Sequence, residues 1–194
     1  MLNKIKERTQ QDNYQSWKLW LWHRIAVRSL NGAFIVVWGM FFSWVPLIVG
    51  RWWRRFFLQF ALRSCGSKLD VSTGVHFEYP WRIKVGNNVW IGRECQLEGM
   101  GEIEIGDDTM IALQSLIQTA GHDFSNGIPV RAQKIMAKKI VIGKDVWLGA
   151  RSMVKYGVTI GDEAIVGMGS VVTKNVAPRS IVGGVPAKEL GQRD

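Results

Sequence analysis

A repeat of six residues constrains the fold of this chain more than any other feature. From Ile142 onward the sequence divides into six consecutive units, IGKDVW, LGARSM, VKYGVT, IGDEAI, VGMGSV and VTKNVA. Each unit opens with an aliphatic residue and carries a small or β-branched residue in fifth place. Such repeats are typical of a solenoid, in which a coil buries its apolar residues only by stacking on its neighbours.

Three units make one triangular coil, with a short strand and a turn in each unit. The aliphatic residue of each unit is predicted to point inward and to stack on the equivalent residue of the next coil. Glycine in second place, as at Gly149, relieves crowding at the turn.

The same register is visible upstream of these units and is interrupted twice. It begins at Val85, slips by two residues near 99–101, and residues 65–81 are interpreted as a looser entry coil. It breaks again after His122, where the polar segment 123–138 predicts an inserted loop. Loops that leave a rigid scaffold often carry function, so this break indicates where to look for a site.

The N-terminal part of the chain differs sharply in composition from the repeats. Residues 1–68 hold 11 of the Lys and Arg residues against two acidic ones, a net charge of +9, whereas 69–194 are neutral overall. Seven of the ten Trp and six of the eight Phe also lie before residue 69. The segment 33–50 carries no charge and is bracketed by Arg28 and Arg51.

Basic residues interleaved with Trp and Phe suit the headgroup boundary of a bilayer. We therefore predict that region 1–64 is mainly helical and binds an anionic membrane surface peripherally, followed by an all-β solenoid over 65–190 and a tail at 191–194. Two alternatives remain open, namely a true membrane span and a helical pair packed on the solenoid or at a subunit interface. Nothing resembles a groove-reading helix or a stacking platform, so nucleic-acid binding is not expected.

The compartment follows from the cysteines and from the first residues. Cys65 and Cys95 are too few for a disulfide framework or a structural zinc site, which favours a reducing compartment. Charges, Gln and Asn precede any apolar run, so no cleavable signal peptide is expected. The predicted location is cytoplasmic, on the inner face of the cytoplasmic membrane.

Several motifs together resemble one family. The hexapeptide units, Gly121-His122-Asp123 and the closing VGMGSVVTKNVAPRSIVGGVPAK are similar to the hexapeptide-repeat O-acetyltransferases, which include the maltose, galactoside and nodulation sugar acetyltransferases. The YPW at 79–81 and the aromatic N terminus resemble the acetyltransferases of exopolysaccharide (colanic-acid-type) biosynthesis. The resemblance implies a left-handed parallel β-helix, a homotrimer with active sites between subunits, and acetyl-CoA as donor without a metal. The implied acceptor is a hydroxyl of a sugar or lipid-linked glycan.

A hydroxyl is a poor nucleophile at neutral pH and needs a base within hydrogen-bonding reach, a role that suits histidine. The chain has three histidines, with His23 in the N-terminal region and His76 in the entry coil. His122 stands where the repeats meet the inserted loop and matches the catalytic histidine of the family. The alternative is a turn histidine that hydrogen-bonds to the backbone.

The resemblance also implies the remaining site residues. A backbone N–H near Ala150 matches the donor that stabilises the oxyanion of acyl transfer. The residues implied to contact the coenzyme are Gly149, Ala150, Met168, Thr173, Lys174, Arg179 and Lys188. Each lysine has the alternative of being a solvated surface charge. Glu94 matches a polar position that orients the base or binds the acceptor, and the weaker candidates for the acceptor are Trp81, Arg93 and Asp123.

Three other functions share parts of this pattern. A γ-class carbonic anhydrase has the same fold but binds zinc through three histidines, a set that His76 and His122 cannot supply. An acyltransferase that uses acyl-carrier protein and a non-catalytic scaffold remain alternatives, and the presence of His122 and the Thr173-Lys174 pair disfavours the scaffold.

Overall fold

The computed structural model describes residues 43–45, 47–124, 127 and 129–194, together with positions 33, 37 and 38. Most of the predicted N-terminal region therefore lies outside the described residues, including eight of the 18 positions in the uncharged segment 33–50. Its described part includes helix α1 (Leu47–Ala61). In the part of the chain that is described, no helix combines the length and the apolar character needed to cross a bilayer.

Short strands follow α1 over the rest of the described chain. In chain order they are β1 (Ser64–Cys65), β2 (Asp70–Val71), β3 (His76–Glu78), β4 (Ile83–Val85), β5 (Trp90–Ile91), β6 (Gln96–Glu98), β7 (Ile103–Ile105), β8 (Met110–Ile111), β9 (Leu116–Gln118), β10 (Ala120–His122), β11 (Ile135–Ala137), β12 (Ile140–Ile142), β13 (Trp147–Leu148), β14 (Met153–Val154), β15 (Thr159–Ile160), β16 (Ile165–Val166), β17 (Val171–Val172), β18 (Ser180–Gly183) and β19 (Lys188–Gln192). One-turn 3-10 helices occur at Pro80–Arg82 and Val130–Ala132.

The strands form the three faces of a parallel β-helix. Sheet A has the order β1-β4-β7-β12-β15, sheet B the order β19-β18-β16-β13-β8-β5-β2, and sheet C the order β17-β14-β9-β6-β3. All neighbouring strands in these sheets are parallel except β18 and β19, which are antiparallel. Strand β19 ends at Gln192 and therefore includes the first two residues of the predicted tail. The predicted all-β solenoid is confirmed.

The coils differ in length, and the difference explains the slip in the sequence register. Val71 pairs with Ile91, and Ile91 pairs with Ile111, so these coils advance by 20 residues. In the last coils Ile142 pairs with Ile160, an advance of 18 residues. The extra residues follow sheet C, both near 99–101 as predicted and at Pro80–Arg82, which the register did not reveal.

The inward positions are those that the repeat predicts. The aliphatic residues that open the six units are all buried, namely Ile142, Leu148, Val154, Ile160, Val166 and Val172. The residues in fifth place are buried as well, namely Val146, Ser152, Val158, Ala164, Ser170 and Val176. Among the buried serines, the Ser152 hydroxyl donates to the Ser115 hydroxyl of the preceding coil at 3.2 Å, so the interior retains hydrogen-bonded polar groups.

Close stacking of the coils explains the small residue in second place. A Cβ on Gly149 would lie 2.6 Å from the backbone nitrogen of Met168 in the next coil, which is too close for any side chain. On the outside of sheet A, Glu104 accepts from Lys84 at 2.7 Å and pairs with Lys139 at 2.6 Å. The hydrogen bonds from Lys139 and Lys84 lower the pKa of Glu104 below its ordinary value.

Helix α1 packs on the first coils through a buried stripe. Leu58 is fully buried, and the buried Arg54 guanidinium donates to the carbonyl oxygens of Val71 and Val45, each at 2.7 Å. Outside the helix, Trp38 is fully buried and donates from its indole to the Val75 carbonyl at 2.6 Å. These contacts fix the helix against the entry coil.

Candidate active site

The predicted site residues lie mainly on two opposite edges of sheet C. We call the turns that immediately precede its strands the leading edge (72–75, 92–95, 112–115, 149–152 and 167–170). The segments that immediately follow its strands form the trailing edge (79–82, 99–102, 119–123, 155–158 and 173–176). Because the strands of sheet C are parallel, every strand begins at the leading edge and ends at the trailing edge. Three extended residues span about 10 Å, so one chain keeps the two edges well apart.

His122 lies on the trailing edge at the entrance to the inserted loop. Its strand β10 leaves the coil and pairs with β11 of the loop, with His122 opposite Ile135. A Cβ on Gly121 would lie 2.5 Å from a ring carbon of Tyr156, so the Tyr156 ring packs directly on the backbone of β10. The His122 side chain itself is exposed, which leaves the imidazole accessible to a substrate.

A cavity of about 230 Å³ opens beside His122. Its walls include Glu78, Glu98 and Gln118, which are consecutive partners across strands β3, β6 and β9. Tyr79 completes this side and has a left-handed backbone with φ of 53°. The cavity thus combines carboxylates, an amide and an imidazole, which can hydrogen-bond hydroxyl groups.

The sequence analysis missed Glu98 as well as Glu78 and Gln118, and Glu98 is the one whose carboxylate is held by backbone groups. One carboxylate oxygen accepts from the Met100 N–H at 2.8 Å, and the other accepts from the Thr119 N–H at 3.0 Å. The Thr119 hydroxyl donates to the Glu98 carbonyl at 2.7 Å and accepts from the Gly101 N–H at 2.7 Å. These bonds fix the Glu98 carboxylate at the wall of the cavity. One feature of the sequence does point to Glu98, namely that it is a polar residue directly before the register slip at 99–101.

Two weaker candidates for the acceptor lie near this cavity without lining it. Trp81 is half-buried in the 3-10 turn and packs edge-on against Tyr79, with 5.9 Å between the ring centroids. The Asp123 N–H donates to the Lys134 carbonyl at 3.1 Å, which holds the two strands of the inserted loop together. Both residues support elements that bound the cavity.

The other two residues predicted to act near the acceptor, Glu94 and Arg93, are found on the leading edge. Glu94 accepts from the Gln114 amide at 2.7 Å, and the Gln114 oxygen accepts from Arg151 at 2.8 Å. Arg93 lines a separate cavity beside α1. Within one chain, sheet C therefore separates Glu94 and Arg93 from His122.

Ala150 and Met168 occupy equivalent turns of successive coils on the leading edge. The Ala150 carbonyl accepts from the Gly169 N–H at 2.8 Å, whereas the Ala150 N–H makes no hydrogen bond with the described residues. The Met168 side chain is 81% exposed. This edge thus presents a free backbone donor beside a flexible apolar side chain.

The two lysines expected to contact the coenzyme come together at the last coil. Lys174 and Lys188 line a cavity of about 340 Å³. Thr173 directly follows strand β17 on the trailing edge and precedes Lys174. Arg179 lies elsewhere, since its guanidinium is 3.6 Å from the Glu163 carboxylate and donates to the Arg193 carbonyl. The structure therefore places Lys174 and Lys188 at one cavity, and Arg179 does not line it.

Neither cysteine is suited to act as a nucleophile. Burial raises the pKa of the Cys95 thiol to about 11, and that thiol donates to the Ala112 carbonyl at 3.0 Å. Burial also raises the pKa of Cys65. Both residues are therefore neutral thiols near pH 7. Among the described residues, no three His, Cys, Asp or Glu side chains are grouped so that they could hold a metal ion.

Known proteins share this architecture and part of the sequence. A family model described as the hexapeptide repeat of succinyl-transferase matches residues 139–174. The chain is 34% identical over 152 residues to WcaF of Escherichia coli K12, whose name provisionally assigns it as a colanic acid biosynthesis acetyltransferase. That alignment covers 78% of this chain and 81% of WcaF.

Two solved structures extend the comparison to three dimensions. The hexapeptide-repeat acetyltransferase VCA0836 of Vibrio cholerae, complexed with acetyl-CoA, has a TM-score of 0.76 at 29% identity, covering 87% of this chain and 88% of that chain. A maltose O-acetyltransferase from Clostridium difficile 630 has a TM-score of 0.74 at 26% identity, covering 91% and 89%.

Proposed function

The chain belongs to the hexapeptide-repeat acetyltransferases, and from this premise we propose that it transfers an acetyl group from acetyl-CoA to a sugar hydroxyl in surface polysaccharide biosynthesis. The observation that carries the acceptor chemistry is the cavity of Glu78, Glu98 and Gln118 beside His122. Several fixed hydrogen-bonding groups around one imidazole suit a polyhydroxylated acceptor. The names of the relatives support the same acceptor class, since one acts on maltose and another is assigned to colanic acid.

His122 is the proposed catalytic base. Its imidazole takes the proton of the acceptor hydroxyl while the oxygen attacks the thioester carbonyl, and it then returns the proton to the departing sulfur. The bond formed is an ester C–O bond and the bond broken is the thioester C–S bond, so no further reactant is needed. Exposure of the imidazole at a cavity wall supports this role.

The Ala150 N–H is the proposed donor to the charge that develops on the carbonyl oxygen. It has no partner within the described residues, so it gives up no hydrogen bond to them when it engages the substrate. Met168 lies at the equivalent turn of the next coil, where it would flank the thioester arm. Lys174 and Lys188 would hold phosphate groups of the coenzyme at the last coil.

A homotrimer with active sites between neighbouring chains is the assembly that we propose, and the separation of these roles on one chain supports a shared site. His122 lies on the trailing edge and Ala150 on the leading edge, on opposite sides of sheet C. One chain cannot bring them to the same carbonyl carbon, but two neighbouring chains can if one contributes each edge. Glu94, which shares the leading edge, would then face His122 of the neighbouring chain.

A location at the inner face of the cytoplasmic membrane completes the proposal. The net charge of +9 over residues 1–68 supports attraction to anionic lipids. Helix α1 adds exposed aromatic side chains, with Trp52 at 62% and Phe60 at 75% exposure. Acetylation would then take place where lipid-linked glycans are built.

Release of free CoA from acetyl-CoA, measured with a panel of mono- and oligosaccharides, tests the reaction. We expect release only with a matching acceptor, together with an alkali-labile acetyl ester on that sugar. A matching amino sugar that forms a stable amide instead would show N-acetylation and contradict the hydroxyl acceptor. Turnover that requires acetyl-acyl-carrier protein would favour the alternative donor, and no transfer with any donor would favour a scaffold.

A further inference from the structure

Helix α1 covers the end of the solenoid at which the described coils begin. Strands β1, β2 and β3 are the outermost strands of their sheets at this end, so their outer backbone groups have no neighbouring strand in the sheet. The Val71 carbonyl instead accepts from the Arg54 guanidinium at 2.7 Å, and the Gly74 N–H donates to the Ser43 carbonyl at 2.7 Å. In the next coils the equivalent groups bond to another coil. Helix α1 thus takes the place of a preceding coil, and we call it the cap.

The outer face of the cap is apolar. The stripe that contains Arg54 and Leu58 is buried against the first coils. Because a helix turns by about 100° per residue, positions four apart from 48 to 60 lie on the face away from this stripe. The side chains at these positions are between 45% and 83% exposed, and we call them the ridge, namely Ile48, Trp52, Phe56 and Phe60.

The rings of the ridge form one continuous surface. Trp52 stacks on Phe56 with 5.8 Å between the ring centroids, and Phe56 meets Phe60 edge-on at 5.4 Å. The terminal units of soluble solenoids have a polar outer face, which keeps the end of the core out of water. A cap with an exposed aromatic face is the reverse of this arrangement. A contiguous apolar patch of this kind marks a surface that binds a partner.

Charge decides which partner fits the ridge. Arg51 and Arg55 flank the ridge along one side of α1, and the Arg51 side chain is 53% exposed although it also pairs with Asp70 at 3.3 Å. Residues 1–68 carry a net charge of +9. Two such caps placed end to end would repel each other, whereas an anionic bilayer attracts them. Aromatic rings with arginines at their side also match the boundary between headgroups and acyl chains.

The two cavities of the site lie at different distances from the cap. The cavity beside His122 is lined by Glu78 of β3 and Glu98 of β6, the first two strands of sheet C. The other cavity is lined by Val172 of β17 and Lys188 of β19, which are the last strands of sheets C and B. Neighbouring strands are about 4.8 Å apart, so β17 lies about 19 Å farther from the cap than β3.

We propose that the cap docks end-on on an anionic bilayer, with the ridge inserted among the lipids and the solenoid axis pointing away from the surface. This inference rests on the membrane location proposed above and adds the docking surface and the orientation. The cavity beside His122 then begins about one helix diameter, about 10 Å, from the lipid. A glycan of a few sugars on a membrane lipid can span that distance, while acetyl-CoA enters from the aqueous side.

The proposed trimer is compatible with this orientation. The leading and trailing edges both run along the solenoid axis. A ring that joins them therefore keeps the three axes parallel and places three caps on the same side. Three ridges would then meet one flat surface together, which strengthens binding without any further contact.

The first test compares the full chain with two matched double variants in co-sedimentation with vesicles. I48S/F60S removes two side chains of the ridge, which are 83% and 75% exposed. V185S/L190S removes two apolar side chains at the opposite end of the solenoid, which are 73% and 71% exposed. Neither variant changes the net charge, so a difference between them reports which end inserts.

We expect the wild type to sediment with vesicles of equal parts phosphatidylcholine and phosphatidylglycerol but not with phosphatidylcholine alone. I48S/F60S should bind the mixed vesicles at least about 10-fold more weakly, whereas V185S/L190S should change less than about threefold. Equal losses in both variants would overturn the proposal, as would a wild type that stays in the supernatant. Circular dichroism and the oligomeric mass verify that both variants keep the fold and the assembly.

The second test measures the orientation with a fluorescent label on a single cysteine. The C65S background keeps Cys95, which is fully buried and therefore not labelled. S64C places the label on the first strand, and V185C places it beyond β18 at the other end. Spin-labelled lipid headgroups should quench the S64C label at least about fivefold more strongly, because quenching requires close approach. Equal quenching, or stronger quenching at V185C, would contradict end-on docking.

Release of CoA with a free sugar needs no vesicle, so it separates this inference from the proposed reaction. If the protein does not dock while CoA release with a free sugar persists, the docking is wrong and the acetyl transfer stands. I48S/F60S should use the free sugar at the wild-type rate but acetylate the same sugar about 10-fold more slowly when it is coupled to a dialkyl lipid in mixed vesicles. Equal rates on the lipid-coupled sugar would contradict the role of the ridge.

Discussion

The Glu98 carboxylate both hydrogen-bonds to the backbone of a turn and lines the cavity beside His122. Glu98 stands at the end of β6, and both of its oxygens accept backbone N–H groups, from Met100 and Thr119. These bonds hold the turn that inserts the extra residues into the coil. Because the carboxylate is fixed there, the cavity presents a preorganised acceptor to a substrate hydroxyl.

We predict that Glu98→Gln lowers the free energy of unfolding by about 1–3 kcal/mol, because the amide nitrogen must face one of the two N–H donors. Denaturation in urea at constant protein concentration measures the change. Glu78→Gln is the control, since its carboxylate lines the same cavity and its side chain is 41% exposed, 3.8 Å from His76. An unchanged unfolding free energy for Glu98→Gln would mean that these bonds contribute nothing.

The strand β10 positions His122, and its geometry depends on a glycine. Gly121 leaves room for the Tyr156 ring of the next coil, so the strand lies flat against the solenoid before it enters the loop. Pairing with β11 then fixes the direction in which the imidazole points. Small displacements of a catalytic group can greatly reduce the rate.

Gly121→Ala is expected to lower kcat about 10- to 100-fold while the thermal midpoint changes little, because the new methyl group displaces β10 from Tyr156. Adding Tyr156→Ala should recover much of the rate by restoring the space. Gly191→Ala is the control, since its Cβ would meet no atom within 4 Å. If Gly121→Ala keeps the wild-type kcat, close packing of β10 does not matter for the chemistry.

The elements also show what the sequence could and could not predict. Ile142 and the residues that follow it at the same register were placed inward correctly, since a strict period defines one buried face. The turn at Pro80–Arg82 was missed because the sequence of this coil has no clear six-residue repeat. Without a repeat, the two residues that it has beyond an 18-residue coil cannot be recognised. The burial of Arg54 could not be predicted, because it depends on contacts with the first coil such as the hydrogen bond to the Val71 carbonyl.

The same limit applies to the candidate site. His122 was selected because a register break and a family motif coincide there, and its catalytic role remains a prediction. Glu98 was missed because its role depends on Thr119, a residue of the next coil. The resemblance to the family assigned the polar position to Glu94 instead, four residues earlier. Two residues can be assigned to the same edge of sheet C only if the lengths of the coils between them are known. The sequence predicts these lengths only where the six-residue register is regular.

At the scale of the whole molecule, the proposed active site requires more than one chain. The trailing edge carries His122 and the leading edge carries Ala150, and sheet C separates them. The Ala150 N–H is free within the described residues, and its turn has the 3.2 Å bond from the Ser152 N–H to the Gly149 carbonyl. Proline fits the second position of such a turn and removes only that N–H.

We expect Ala150→Pro to lower kcat about 100- to 1000-fold, because one donor to the developing charge is lost. Leu113→Pro is the control, since it changes the equivalent turn one coil earlier, where the N–H is also unpaired among the described residues. Trimers assembled from equal amounts of Ala150→Pro and His122→Ala chains should regain about one quarter of wild-type activity. No recovery on mixing would show that both groups act within one chain.

The most direct test of the account is the rate of CoA release by His122→Ala with its sugar acceptor, at saturating substrates. The account predicts a decrease of about 100- to 10,000-fold, since the hydroxyl loses its base, with the oligomeric mass and thermal midpoint unchanged. A variant that turns over within twofold of the wild type would contradict the central claim, because acetyl transfer would then proceed without the imidazole.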